Sequence, residues 1–122
     1  MNGDVIRLEF PAKPDYILAV RLAVSAVAER TGFSVDDIED IKVASAEACI
    51  LLLSSAPERI DIGITVDDGL RIDVRAVGDI SGDTKADETS ELSQYLLEAL
   101  VDSCEMKETN GAPVGVTIYK KK

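Results

Sequence analysis

A chain of 122 residues is long enough for one domain with its own core, and a hydrophobic content of 46% excludes a disordered chain. Thirteen basic and 23 acidic residues leave a net charge of −10, which repels phosphate backbones and argues against direct nucleic-acid binding. Histidine is absent, and Cys49 and Cys104 lack Cys-x-x-Cys spacing, so no metal site is expected and both thiols are read as reduced and buried. No apolar run approaches the roughly 18 residues of a membrane span, and no charged-then-apolar leader is present, so the expectation is a cytoplasmic protein of bacterial type without a membrane partner.

In chain order, Val5 to Phe10 alternates and predicts a strand. After Pro11 and Pro14, a helix is expected from Asp15 to about Arg30, with Ile17, Val20, Val24 and Val27 on one stripe and Leu18 and Leu22 widening it. Gly32 closes that helix. The next helix, from Ser34 to Ser55, opens with a capping-box pattern, Ser34 followed by Asp37 three residues on. Asp36, Asp37, Glu39 and Asp40 crowd the positive end of its dipole. Its second half is apolar on every side, with one acid, Glu47, inside it. Pro57 ends it.

Arg59 to Val66 and Leu70 to Val77 alternate around the turn signal Asp67-Asp68-Gly69 and predict a hairpin. Gly78 to Ser90 reads as a polar loop. Leu92, Leu96, Leu97 and Leu100 predict a helix from Glu91 to about Ser103. Glu105 to Glu108 and Val114 to Lys120 form a last hairpin around Asn110-Gly111, ahead of a short basic tail, Lys120 to Lys122. The order β-α-α-β-β-α-β-β predicts a single domain over residues 1–122. The fold class is α/β: a two-layer sandwich, a mixed but mostly antiparallel sheet with helices on one face.

The segments EDIKVASAEAC, LRIDVRAVGD and ELSQYLLEALVDSCEMKETNGAPVGVTIYK, taken with the element order, resemble the bacterial anti-sigma-factor serine/threonine kinases of the histidine-kinase-like (GHKL) ATPase superfamily. The resemblance covers nearly the whole chain and implies a histidine-kinase-like ATPase fold. It implies partners as well: a sigma factor held inactive, and an anti-anti-sigma protein phosphorylated on serine with Mg-ATP.

The family's ATP motifs then fall on particular residues. Its helix acid, a base toward a hydroxyl or water, matches Glu47, and the Asn four residues on, a magnesium ligand, is Leu51 here. Residues at i and i+4 share a helix face, but a leucine offers a hard cation no oxygen. The polar position four further on is Ser55. The adenine-binding Asp-x-Gly reads Ala76-Val77-Gly78, which keeps the glycine and loses the acceptor; Asp79 lies three positions off. The glycine-rich phosphate turn matches Glu91-Leu92-Ser93-Gln94, with no glycine and an added acid. The lid, Asp79 to Ser90, is shorter than the family's, and the adenine threonine of the closing strand matches Thr117.

These losses lead to the expectation of a pseudo-kinase: an anti-sigma-factor-like transcription regulator acting through protein contacts, with no cofactor bound. Glu47, Gly78 and Thr117 would be remnants of the site. The alternative is an active serine/threonine kinase using ATP and Mg. Arg21 matches an arginine the family uses at its partner surface, and is otherwise a solvated helix arginine. The resemblance also implies that the first helix can pack a homodimer. Leu51, Leu52 and Leu53 either fill the vacated pocket or line it for an apolar ligand.

Overall fold

Alternation of branched aliphatic residues builds the sheet. In the computed structural model, which describes residues 3–79 and 88–122, five strands form one sheet in the order β1-β2-β3-β5-β4. They are β1 (Val5–Pro11), β2 (Arg59–Val66), β3 (Gly69–Val77), β4 (Ser103–Thr109) and β5 (Ala112–Lys121). All four pairings are antiparallel, where the sequence left room for a mixed sheet. Three helices, α1 (Ile17–Arg30), α2 (Val35–Leu53) and α3 (Glu88–Leu100), complete the two-layer α/β sandwich.

The core lies between the helices and the inner face of the sheet. Ile60, Ile62, Ile64 and Val66 of β2 alternate inward, as do Leu70, Ile72 and Val74 of β3 and Val116 and Ile118 of β5. Helix α2 is the central helix, packed against α1, α3, β3 and β5. Its buried row of Ile41, Ala44, Ser45, Ala48 and Leu52 recurs at three- and four-residue spacing. The small residues in that row let neighbouring elements approach closely. Ser45 is satisfied within the helix, donating to the Ile41 carbonyl at 2.8 Å.

The Ser34 cap forms as the pattern predicts: its Oγ accepts from the Asp37 N–H at 3.2 Å, an interaction worth about 1 kcal/mol. The Asp37 carboxylate, however, faces a different partner. Lys120 Nζ lies 3.7 Å from Asp37 and 3.6 Å from Asp40, and donates to the Leu100 carbonyl at 2.8 Å. One lysine of β5 thus ties the start of α2 to the end of α3, so Lys120 is a structural clamp and no part of a free tail.

Other boundaries shift for local reasons. A 3-10 turn, Pro14–Tyr16, precedes α1, because Pro14 suits a first helical turn but offers no N–H. Leu18 and Leu22 do not widen the core: they are 64% and 58% exposed, while Val20, Val24 and Ala28 turn inward. Helix α3 ends at Leu100, and Cys104 sits half-buried in β4.

Burial pushes the Cys49 thiol up to about 12, and it raises Cys104 as well, helped by Glu98 and Glu105. A thiol whose folded value lies above its unfolded value of about 8.5 favours the fold at neutral pH and loses that contribution as pH rises toward the folded value. Iodoacetamide at about pH 8 is therefore expected to label Cys104 first and Cys49 only after unfolding, as read by mass spectrometry. Equal labelling rates would show that α2 opens readily.

Candidate functional site

Helix α2 carries the acid singled out from sequence. Glu47 is half-buried on the helix side of the sheet, and its Oε2 accepts a hydrogen bond from Ser93 Oγ at 2.9 Å. Ser93 is only 4% exposed. It lies on the inward row of α3 with Leu97, four residues on. The contact bridges the space between the two helices. Sequence reasoning missed this partnership, although the spacing of Ser93 from Leu97 marks it as inward-facing.

One turn beyond Glu47, Leu51 is 3% exposed and belongs to the core cluster, as does Leu52; Leu53 and Ala76 pack against it. Glu47, Leu51 and Ala76 therefore share the helix side of the sheet. Among the described residues, no group of three or more His, Cys, Asp or Glu is placed to hold a metal ion. Glu47 offers a carboxylate, and its neighbour one turn on offers no donor.

Gly78 follows β3 directly, with φ at +114°, a conformation that favours glycine. A Cβ there would meet the Glu58 side chain at 2.7 Å, so the glycine's open side is already occupied. Residues Glu91 to Gln94 lie within α3, which begins at Glu88. Backbone N–H groups past the first helical turn serve the helix itself and cannot cradle a phosphate. The lid expected at 79–90 falls largely on residues outside those described. Ser55 is buried and donates to the Pro113 carbonyl at 2.5 Å, which assigns it to the packing of α2 on β5.

The structure does not bring Thr117 to this site. Strand side chains alternate between faces. Val116 and Ile118 point to the helices, so Thr117 lies on the opposite face, donating to Asp73 Oδ1 at 2.7 Å. The inward residue of that motif is Val116. Arg21 lies on α1, at one helical turn from Ile17 and beside the exposed Leu18 and Leu22. Its Nε is buried and has no hydrogen-bond partner among the described residues.

An antiparallel sheet with three helices on one face, and an acid on its central helix facing the start of the next, is the architecture of the histidine kinase-like ATPases. The chain belongs to that family: the histidine kinase-like ATPase domain matches residues 10–119. It is 34% identical to the serine-protein kinase RsbW of Halalkalibacterium halodurans, over 95% of this chain and 83% of the relative. It is 32% identical to the protein of the same name from Bacillus licheniformis (96% and 86% covered) and 31% identical to that of Bacillus subtilis (97% and 87%). Among the described residues, no helix is long and apolar enough to cross a membrane.

Proposed function

We propose that this chain is an anti-sigma-factor-like regulator that works by protein–protein contact, with a sigma factor or an anti-anti-sigma protein as partner and with ATP-dependent phosphotransfer lost. The observation that carries the loss is the hydrogen bond from Ser93 to Glu47. It joins α3 to α2 between the two elements to which the family resemblance assigns the metal and phosphate contacts. The residues around it fit Mg-ATP poorly: Leu51 is core, Ala76 accepts nothing, Glu58 covers Gly78, and Thr117 faces away.

The partner surface is best supported on α1. Leu18, Arg21 and Leu22 stand at i, i+3 and i+4, so they share one face, with both leucines exposed. Exposed apolar side chains beside an arginine are the chemistry of interface anchors. The same face could serve a homodimer. Without phosphorylation, partner exchange would follow concentration and affinity alone.

Two measurements test this reading. Titration of the folded chain against the sigma factors and anti-anti-sigma proteins of its own genome is expected to give a complex that Arg21→Ala or Leu22→Asp weakens at least about tenfold, the scale of an interface anchor. A sound sample that binds none of them would end the proposal. In a thermal melt, Mg-ATP at about 5 mM is expected to leave Tm unchanged. A site with a Kd of about 50 μM would add about 2.7 kcal/mol, on the order of 10 °C. A saturable rise of that size would favour the second reading, a working serine kinase with unusual nucleotide contacts, to which the names of its relatives point.

A further inference from the structure

The outer face of the sheet, opposite the helices, holds a hollow of about 470 Å³ that has no part in the site described above. Its floor is set by strand register. One row across the sheet reads Arg7, Gly63, Asp73, Thr117, Glu105; the next reads Glu9, Asp61, Arg75, Gly115, Lys107. Each row contains one glycine, so the side-chain layer has a gap over Gly63 and another over Gly115. A Cβ at Gly63 would meet nothing within 4 Å, and at Gly115 it would make only ordinary contacts, the nearest at 3.6 Å, so both gaps are real space.

The charges around these gaps are unevenly spent. The acids are partly paired: Asp61 is bonded to Arg59 at 2.8 Å, Glu9 lies 3.5 Å from the same guanidinium, Asp73 accepts from the neutral Thr117 hydroxyl and keeps its charge, and Glu105 has no ion-pair partner among the described residues. Elsewhere on the face, Arg71 sits over the Tyr119 ring at 5.4 Å. Among the described residues, Arg7, Arg75 and Lys107 have no carboxylate within ion-pair distance, and all three line the hollow. Arg75 and Lys107 flank Gly115 from the strands on either side, about 10 Å apart at the backbone from the strand spacing. Three uncommitted cations gathered over a glycine floor are unexpected in a chain of net charge −10. Guanidinium and ammonium groups so placed match planar or tetrahedral oxyanions, and the volume falls within the roughly 300–1,000 Å³ of small-ligand sites.

We propose that this hollow binds a small multivalent oxyanion, a ligand bearing two or more carboxylate or phosphate groups, with Arg75 and Lys107 gripping one group over Gly115 and Arg7 meeting another over Gly63. The proposal is independent of the kinase question, because the site lies on the other face of the sheet.

The experiment titrates the full chain with inorganic pyrophosphate in one arm and citrate in the other, following backbone amide shifts by NMR and heat by calorimetry. Saturable binding is expected, with shifts centred on Gly63, Arg75, Lys107 and Gly115, and weakening several-fold between about 50 and 200 mM salt. Preference between the arms identifies the oxyanion. The double variant Arg75→Glu/Lys107→Glu should lose at least about tenfold in affinity while keeping its circular dichroism spectrum, as exposed charges permit. Gly115→Ala, which fills the floor without changing charge, should weaken binding several-fold and serves if the double variant misfolds. No saturation by about 5 mM, unchanged affinity in these variants, or shifts confined to α2 and α3 would overturn the proposal. So would a dimer, seen by sedimentation, that buries this face and dissociates on charge reversal, since the occupant would then be a second copy of the chain.

Discussion

Leu51→Asn is expected to lower stability by about 3 kcal/mol and to gain no affinity for Mg-ATP. Leu51 is 3% exposed within the core cluster. Removing the leucine forfeits about 2 kcal/mol of apolar burial, and the new amide adds about 1–3 kcal/mol if its hydrogen bonds go unmade. Glu47, one turn earlier, could accept one of them, which keeps the estimate below the full sum. Against a total stability of about 5–15 kcal/mol this is a large fraction, and urea melts at constant m-value would read it. The substitution restores an oxygen where the family has its magnesium ligand, so it separates two views of the site. If the space is filled, the variant is destabilised and binds nothing. A variant as stable as the parent, melting higher with Mg-ATP, would show that a polar nucleotide cleft is present and that the filled-pocket reading is wrong.

Gly69→Ala is expected to cost about 2–3 kcal/mol, whereas Gly63→Ala should be neutral or slightly stabilising. Gly69 opens β3 opposite Lys121, and a Cβ there would run into the Lys120 carbonyl oxygen, with the Lys121 Cα at 3.1 Å. Those are backbone atoms of the paired strand, so relief requires moving β5. Moving β5 also pulls on the Lys120 contact with the end of α3. At Gly63 the space is open, and alanine loses less chain entropy than glycine in a strand, worth about 0.5–1 kcal/mol. Chemical denaturation of both variants checks the contrast. Equal effects at the two positions would mean that β3 and β5 are less closely apposed than their register indicates.

Much of the fold is legible from local pattern. The β2–β3 hairpin follows from strict alternation on either side of Asp67-Asp68, where Asp67 Oδ1 accepts from the Gly69 N–H at 2.9 Å. The last hairpin follows from Asn110-Gly111, both at positive φ. The start of α2 follows from Ser34, and the end of α1 from Gly32. The candidate site was legible only in part. Glu47 could be singled out because an acid is conspicuous in an apolar helix half, and Leu51 because a core residue is recognisable by type. Motif matching groups Thr117 with Glu47, but it ignores strand parity, which puts Thr117 on the sheet face away from Glu47. Leu18 and Leu22 extend the apolar stripe of α1 in the sequence yet stay exposed, because a helix can be apolar beyond the stripe its neighbours cover, and hydropathy does not say how wide that cover is.

Local pattern along the chain specifies the elements, their order and the aliphatic core, because period 2 or period 3.6 and a cap residue act over a few ångströms within one segment; the family is read from the resemblance of whole segments. The tertiary structure decided which distant residues meet. Ser93 reaches Glu47 across 46 positions, Lys120 joins Asp37, Asp40 and the end of α3, and Arg7, Arg75 and Lys107 gather from three strands over two glycines. Those meetings depend on sheet order, register and helix docking. They are set by the packing of all the elements at once, and no single stretch of chain encodes them.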